Sequence, residues 1–405
     1  MGFSPPSDFE EVLAKSTARD SNNVPGVVLA AVDIHGKTFY NKAAGHAGVA
    51  KDARPMDLND TFWIASCTKL QTAICALKQV EEGLVDLDED ISRILPELGD
   101  QTVIAPDDDA PDGFTLTPAK NKVTLRLLLT HTSGVGYEWM NPTLQKWRAK
   151  HGPSADKLQG KVAANYSTPL LFEPGTSWLY GGGIDWAGVM VERLNDGQTL
   201  GSYMEEHIWK PLGLNSTTFH LNKHPDIKSR LVPAAMRTED GGLEESPAAV
   251  WLEDVDEHSG GGGLWSSVTD YIKVLADLVK PEPTLLKKET VETLLAAPQI
   301  PPNSSALEPL VGARGGAVAA NAAAVSEPGI NYGLGGMMIT KDMEVLPKGT
   351  LSWGGLPNLK WFLNREHGVA AMYASQVLPP GDEKSIELSN AFFKEVMRLT
   401  KEKAE

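Results

Sequence analysis

Ser66 and Lys69 stand three residues apart at the start of "SCTKLQTAICALKQVEEG". On a helix that spacing puts a hydroxyl and an amine on one face, about a turn apart. The partial positive charge of a helix N-terminus favours a developing alkoxide or oxyanion and lowers an amine's hold on its proton. A neutral lysine there accepts the serine proton, which is what nucleophilic catalysis needs. The same four-residue pattern arises by chance in many chains, and serine is favoured at helix starts anyway. The pair alone therefore does not define a site.

Other candidates are weaker. His131 and Ser133 in "HTSG" sit too close on one loop to face each other, so that stretch reads as a structural loop. His258, before Ser259 and Gly260, is a lone histidine and reads as structural rather than as a cleft residue. No G-x-S-x-G occurs, which removes the main sequence argument for an α/β-hydrolase. Neither H-E-x-x-H nor paired C-x-x-C appears and the nine histidines are scattered, so no metal is expected. "GGGG", Gly260 to Gly263, lacks the Lys-Ser or Lys-Thr of a phosphate loop and reads as close backbone packing.

Charge narrows the partners. Asp plus Glu number 53 against 37 for Lys plus Arg, a net of −16 at pH 7 over 405 residues. That balance repels phosphate backbones and anionic membrane surfaces, so neither nucleic acid nor membrane is an expected partner. No stretch is long and apolar enough to span a bilayer, and "MGFSPPSDFEEVLAK" lacks the pattern of a secretory signal. The two cysteines, Cys67 and Cys75, lie about 12 Å apart if one helix carries both, too far for a disulfide. Unpaired thiols without a signal fit a reducing cytoplasm, in which the sequons at Asn59, Asn165, Asn215 and Asn303 stay unused.

The elements that must hold the site follow from periodicity. A short helix is expected around Phe9 to Ala18, then β-runs over Gly26 to Asp33 and Thr38 to Ala44 joined by a turn at Ile34 to Lys37. From Ser66 the period changes to that of a helix, with Leu70, Ala73, Ile74, Leu77 and Val80 on one face and Gly83 as the stop. The middle of the chain mixes helical runs, Thr124 to Leu129 and Asp185 to Leu194, with polar loops such as "APDDDAPDGFTLTPAKNK". "LDEDISRILPEL" reads as a solvated helix start, and Gly312 to Gly329 as a flexible connection. "YGLGGMMIT", "GTLSWGG", "LKWFLN" and "GVAAMYAS" read as short strands, and Ser385 to Lys403 as a closing amphipathic helix. The order predicts an α/β (α+β) fold: one antiparallel sheet built from both chain ends, flanked by helices, with an inserted mainly helical domain. Its parts are residues 1–83 with 265–405, and residues 84–264, the active site lying between them.

With these motifs in order, the chain resembles the serine β-lactamase and penicillin-binding-protein superfamily, in the class C β-lactamase-like branch of esterases and acyltransferases. Ser66-x-x-Lys69 resembles the family's first motif. "TLRLLLTHTSG" and "GGGGLWSSVTDYIKVL" are similar to two stretches of this branch. "FEPGTSWLYGGGIDWAG" resembles the second-motif region with its tyrosine at Tyr180, and "LSWGGLPN" stands where the third motif belongs. The resemblance implies Ser66 as nucleophile, Lys69 and Tyr180 sharing the proton transfers, and the backbone N–H groups of Ser66 and Leu356 as oxyanion hole. It implies no cofactor.

Two departures bear on substrate. Where lactam-handling members carry an asparagine two residues after the tyrosine, Gly182 stands here; where their third motif begins with Lys or His, Trp353 stands here, before Gly354 and Gly355. Losing both polar handles shifts the expectation from lactams and peptides to an apolar acyl ester, and to a carboxylesterase. "WGGLPN" with "YGGGIDWAG" also resembles fungal acyltransferases of the statin-side-chain type. That alternative implies an acyl thioester donor, for instance on an acyl carrier protein, and a polyketide-type alcohol.

Overall fold

The computed structural model describes residues 8–154, 160–246, 250–312 and 329–404. Strand β1 (Gly26–Asp33) pairs with β2 (Thr38–Gly45) across a tight turn at Gly36, and β3 (Thr61–Trp63) follows. Next come the hairpin β4 (Thr102–Pro106) and β5 (Phe114–Pro118), the short pair β6 (Ala235–Arg237) and β7 (Leu243–Glu245), and β8 (Trp265–Ser267). Near the C-terminus β9 (Ile330–Tyr332), β10 (Met337–Ile339), β11 (Thr350–Gly355), β12 (Leu359–Asn364) and β13 (Val369–Ala374) complete the main sheet.

That sheet has seven antiparallel strands in the order β2-β1-β13-β12-β11-β10-β9, so the N-terminal hairpin closes on the last long strand. Both faces of its centre are covered, which is why β1, β12 and β13 read as near-continuous apolar runs. On one face Val28, Ala30, Val32, Ala370, Met372 and Trp361 pack with the helices Thr68–Glu81 and Val268–Val279. On the other, Val27, Leu29, Ala31, Phe362 and Tyr373 meet Phe9 and Leu13 of the helix Asp8–Ser16 and Leu388, Phe392 and Val396 of the helix Glu383–Ala404. Each fully buried valine, leucine, phenylalanine or methionine among them contributes roughly 1.5–3 kcal/mol. Between β5 and β6 the chain is mainly helical; its helix Gly183–Leu194 packs on Thr68–Glu81.

Two expectations differ, one of a loop and one of a helix start. Within "APDDDAPDGFTLTPAKNK" the chain forms the β4–β5 hairpin, because Ile104 and Phe114 bury against Leu144 while the acidic residues crowd the turn. Local composition hides this, since the packing partner lies elsewhere in the chain. "LDEDISRILPEL" forms two 3-10 turns, Ile91–Arg93 and Pro96–Leu98, in place of a helix start. Asp90 accepts from the Ser92 N–H, and Pro96 has no N–H to continue a helix. Of the expected connection Gly312–Gly329, residues 313–328 lie outside the described residues.

Candidate active site

Strand β3 carries the chain to Ser66. It pairs with β8 through Trp63 opposite Trp265, and the Ile64 N–H donates to the Leu264 carbonyl at 3.0 Å. Ala65 then takes φ +44°, a left-handed conformation that costs a non-glycine residue roughly 1–2 kcal/mol. The turn is held from outside. The Leu264 N–H donates to Thr68 Oγ1 at 3.2 Å and the Tyr271 hydroxyl to the Cys67 carbonyl at 2.9 Å. A 3-10 turn over Ala65–Cys67 runs into the helix Thr68–Glu81, so Ser66 sits just ahead of the helix rather than inside it.

Three side chains converge here. Tyr180 Oη lies 2.5 Å from Ser66 Oγ, and Lys69 Nζ lies 3.3 Å from it. Lys69 is only 2% exposed. A buried amine is costly without partners, and its nitrogen has two more: the Gly261 carbonyl at 2.5 Å and the Tyr137 hydroxyl at 3.2 Å. It also stands 4.6 Å from the centroid of the Tyr180 ring.

The "HTSG" loop supports Tyr180 and supplies no His–Ser pair. His131 Nδ1 accepts from the Gly181 N–H at 3.4 Å, and its ring lies 4.8 Å from that of Tyr180. Burial first, and then the charge of Lys69, hold the His131 imidazole well below its ordinary pKa, so it stays the neutral acceptor this bond requires. His258 stands apart from the cleft: its Nδ1 accepts from the Gly201 N–H and its Nε2 meets His220 Nε2, both at 2.9 Å. Burial pushes His258 down to about 4. Cys67, beside Ser66, is fully buried, and burial pushes its thiol up, so it remains protonated at neutral pH.

Ser66 and Tyr180 open onto a cavity of about 330 Å³. Its walls are largely aromatic, from Trp63, Tyr137, Trp139, Tyr166 and Trp251, with Leu356 and Pro380, and among the described residues no charged side chain lines it. Trp63 stacks on Trp251 at 5.4 Å, and Trp139 and Met140 remain 59% and 49% exposed. Leu356 and Ser66, the two expected oxyanion positions, both line it; Trp353, Gly354, Gly355 and Gly182, expected to bind substrate, are not among its lining residues. The Trp353 ring lies 5.3 Å from that of Tyr180. A Cβ on Gly355 would lie 2.5 Å from the Ile64 carbonyl oxygen, so the end of β11 presses on the Ser66 turn. A Cβ on Gly182 would lie 2.7 Å from Tyr166 Cδ1, so the Tyr166 ring occupies the space beside that glycine.

Sequence reasoning missed Tyr137, Tyr166 and Asp185. Asp185 is fully buried: its Oδ1 accepts from Ser259 Oγ at 2.5 Å and the Gly261 N–H at 2.9 Å, and its Oδ2 from the Tyr137 hydroxyl at 3.3 Å. Burial raises its pKa, against the opposing pull of Lys69 and these donors. The signal was a carboxylate in the apolar helix run "GIDWAGVMV". Gly261 approaches so closely that a Cβ there would lie 2.1 Å from Asp185 Oδ2, as expected for a glycine run that packs backbone on its neighbours.

A helix-covered antiparallel sheet with serine, lysine and tyrosine meeting beside an apolar cavity defines the serine-active acyl-transfer enzymes. The chain belongs to the β-lactamase family, whose model matches residues 10–392. It is 37% identical over 412 residues to acyltransferase calJ of Penicillium decumbens, covering 96% of this chain and 97% of that one. It is 33% identical to a lovastatin esterase of Penicillium rubens, over 94% and 96% of the two chains. The unliganded structure of simvastatin synthase from Aspergillus terreus superposes with a TM-score of 0.88 at 32% identity, covering 98% of this chain and 99% of that one. Among the described residues no helix is long and apolar enough to cross a membrane, and no group of three or more His, Cys, Asp or Glu side chains is placed to hold a metal.

Proposed function

We propose that this enzyme is a carboxylesterase that takes an apolar acyl group onto Ser66 and releases it to water. The observation that carries the reading is Ser66 Oγ held between Lys69 Nζ at 3.3 Å and Tyr180 Oη at 2.5 Å at the floor of an uncharged, aromatic cavity. Ser66 Oγ attacks the ester carbonyl and its proton passes to the Lys69 amine. The oxyanion is held by the N–H groups of Ser66 and Leu356. As the tetrahedral adduct collapses, the C–O bond to the alcohol breaks, and Tyr180 hands the leaving oxygen a proton that Lys69 restores to it. Water then attacks the acyl-serine, giving its proton to the same base, and Ser66 is reformed.

The aromatic lining, with no charged side chain among the described residues, supports a neutral, apolar acyl group over a lactam or peptide carboxylate. Burying a substrate carboxylate without a partner costs far more than burying an alkyl chain. A second reading, transfer of the acyl group from a thioester to a polyketide-type alcohol, is favoured by the exposed Trp139 and Met140 beside the acyl cavity, which offer apolar area to a large acceptor. The donor is then a small-molecule thioester or an acyl carrier protein. Two buried, unpaired thiols support a cytoplasmic setting. We also assign residues 1–83 with 265–405 to one domain and 84–264 to an inserted one.

Incubation with p-nitrophenyl butyrate followed by intact-mass measurement tests the site. The wild type gains one butyryl group, and Ser66→Ala gains none and loses turnover. A Ser66→Ala enzyme with full activity would sink the assignment. Adding a butyryl thioester and a bulky secondary alcohol separates the two readings: free acid alone supports the esterase, and ester product supports the transferase.

A further inference from the structure

We infer that Asp185 is a positioning residue that turns the lone pair of Lys69 toward Ser66 by fixing the direction of the Tyr137 hydroxyl. The inference rests on Ser66 as nucleophile and Lys69 as its base, and concerns what makes that lysine able to act.

The form of Lys69 that takes the serine proton has two N–H bonds and one lone pair, and its Nζ has three polar neighbours. The Gly261 carbonyl, at 2.5 Å, only accepts, so it takes one N–H. The second N–H goes to Tyr137 or to Ser66, and the lone pair faces whichever remains. Asp185 decides which. Its carboxylate also only accepts, and Oδ2 lies 3.3 Å from the Tyr137 hydroxyl, so the phenol proton points at Asp185. The oxygen of Tyr137 then meets Lys69, 3.2 Å away, with a lone pair and must receive the second N–H. What is left for Ser66 is the amine lone pair, the geometry for taking the hydroxyl proton. Once that proton has moved, the ammonium has three N–H bonds and three acceptors. The same carboxylate holds the Gly261 N–H through Oδ1 at 2.9 Å, so it fixes both of the other partners of Lys69.

Asp185→Asn tests this with almost no change of shape. The Gly261 N–H can only donate, so the new amide must keep its oxygen there and present its NH2 group to Tyr137. The phenol then accepts from the amide and turns its proton to Lys69, whose lone pair is spent on Tyr137. With p-nitrophenyl butyrate, the expected result is a fall in kcat of about 100-fold with KM within about twofold. Tyr137→Phe removes the misdirected proton, so Asp185→Asn with Tyr137→Phe should recover at least about 5-fold over Asp185→Asn alone. A purely structural carboxylate predicts no recovery.

An Asp185→Asn enzyme within about threefold of wild type overturns the inference, and so does a double variant no better than the single one. If Asp185→Asn does not fold, Tyr137→Phe alone decides. A loss of about 10-fold in kcat at constant KM supports the inference, and full kcat overturns it. Butyryl labelling separates the two levels. A wild type that forms no acyl-serine removes the reading of the site, whereas normal labelling with an unaffected Asp185→Asn enzyme removes this inference only.

Discussion

Among the described residues two lysines are buried, and each reaches a serine. Lys69 lies beside the cavity; Lys360, on β12, lies on the far face of the sheet, 3% exposed, with its Nζ 2.6 Å from Ser389 Oγ. By distance alone the second pair is the better one. Ser389, however, already donates its proton to the Ile386 carbonyl at 3.0 Å, and it sits within a helix that covers the sheet rather than against a cavity. Burial pushes the Lys360 amine well below its ordinary pKa, with Asp382 opposing. Lys69 instead has a phenol, a carbonyl and a substrate-facing serine around one nitrogen. A Ser–Lys contact becomes chemistry only where the serine proton has nowhere else to go and an acyl group can reach the oxygen.

Substituting each lysine sharpens the contrast most. Lys69→Met should lower kcat/KM on a butyrate ester by about a thousandfold or more, while Lys360→Met stays within about twofold of wild type. Comparable losses from both would erase the distinction. Next in size is Tyr180→Phe, which keeps the ring against His131 and Trp353 and removes only the proton carrier; kcat should fall about 100-fold at steady KM.

The smaller effects are on stability. His258 is pushed down to about 4, so below pH 6.5 the unfolded chain binds a proton that the folded one refuses. Stability is then lost as pH falls from about 6.5 to 4, by at most about 3 kcal/mol from this group. His258→Asn keeps an acceptor for Gly201 and should flatten that slope in denaturant titrations; an unchanged slope would refute the assignment. Lys360 works on the other side of neutrality. With its folded pKa lowered, the unfolded chain binds the extra proton up to about pH 10.5, so stability rises with pH through the alkaline range. Lys360→Met should abolish that rise and leave the protein about 1 kcal/mol more stable at pH 7, because burial no longer penalises a charged amine. Destabilisation by several kcal/mol would mean that the Lys360–Ser389 bond holds the sheet to its helix.

Much of the site was legible because it lies in short segments with strong local grammar. Ser66, Lys69 and the helix after them follow from spacing and period, and Tyr180 from its place in the family's motif order. The β1–β2 hairpin and the strands from β11 to β13 follow from apolar runs bounded by turn residues. The β4–β5 hairpin was not legible, since what buries Ile104 and Phe114 is Leu144, some 30 residues beyond the second strand's start. Nor was Tyr137, whose value lies in standing between Lys69 and Asp185, which come from two helices far apart in the chain.

By itself the sequence determined the local elements, the acidic balance and the residue types available for acyl chemistry, because propensity, periodicity and charge act over a few residues. Only the tertiary structure decided which of two buried lysines faces a cavity and which partners stand around its nitrogen. It also decided that the space beside Gly182 belongs to the Tyr166 ring. Those outcomes depend on contacts between segments tens to hundreds of residues apart, where a hydrogen bond holds only within a narrow range of distance and angle.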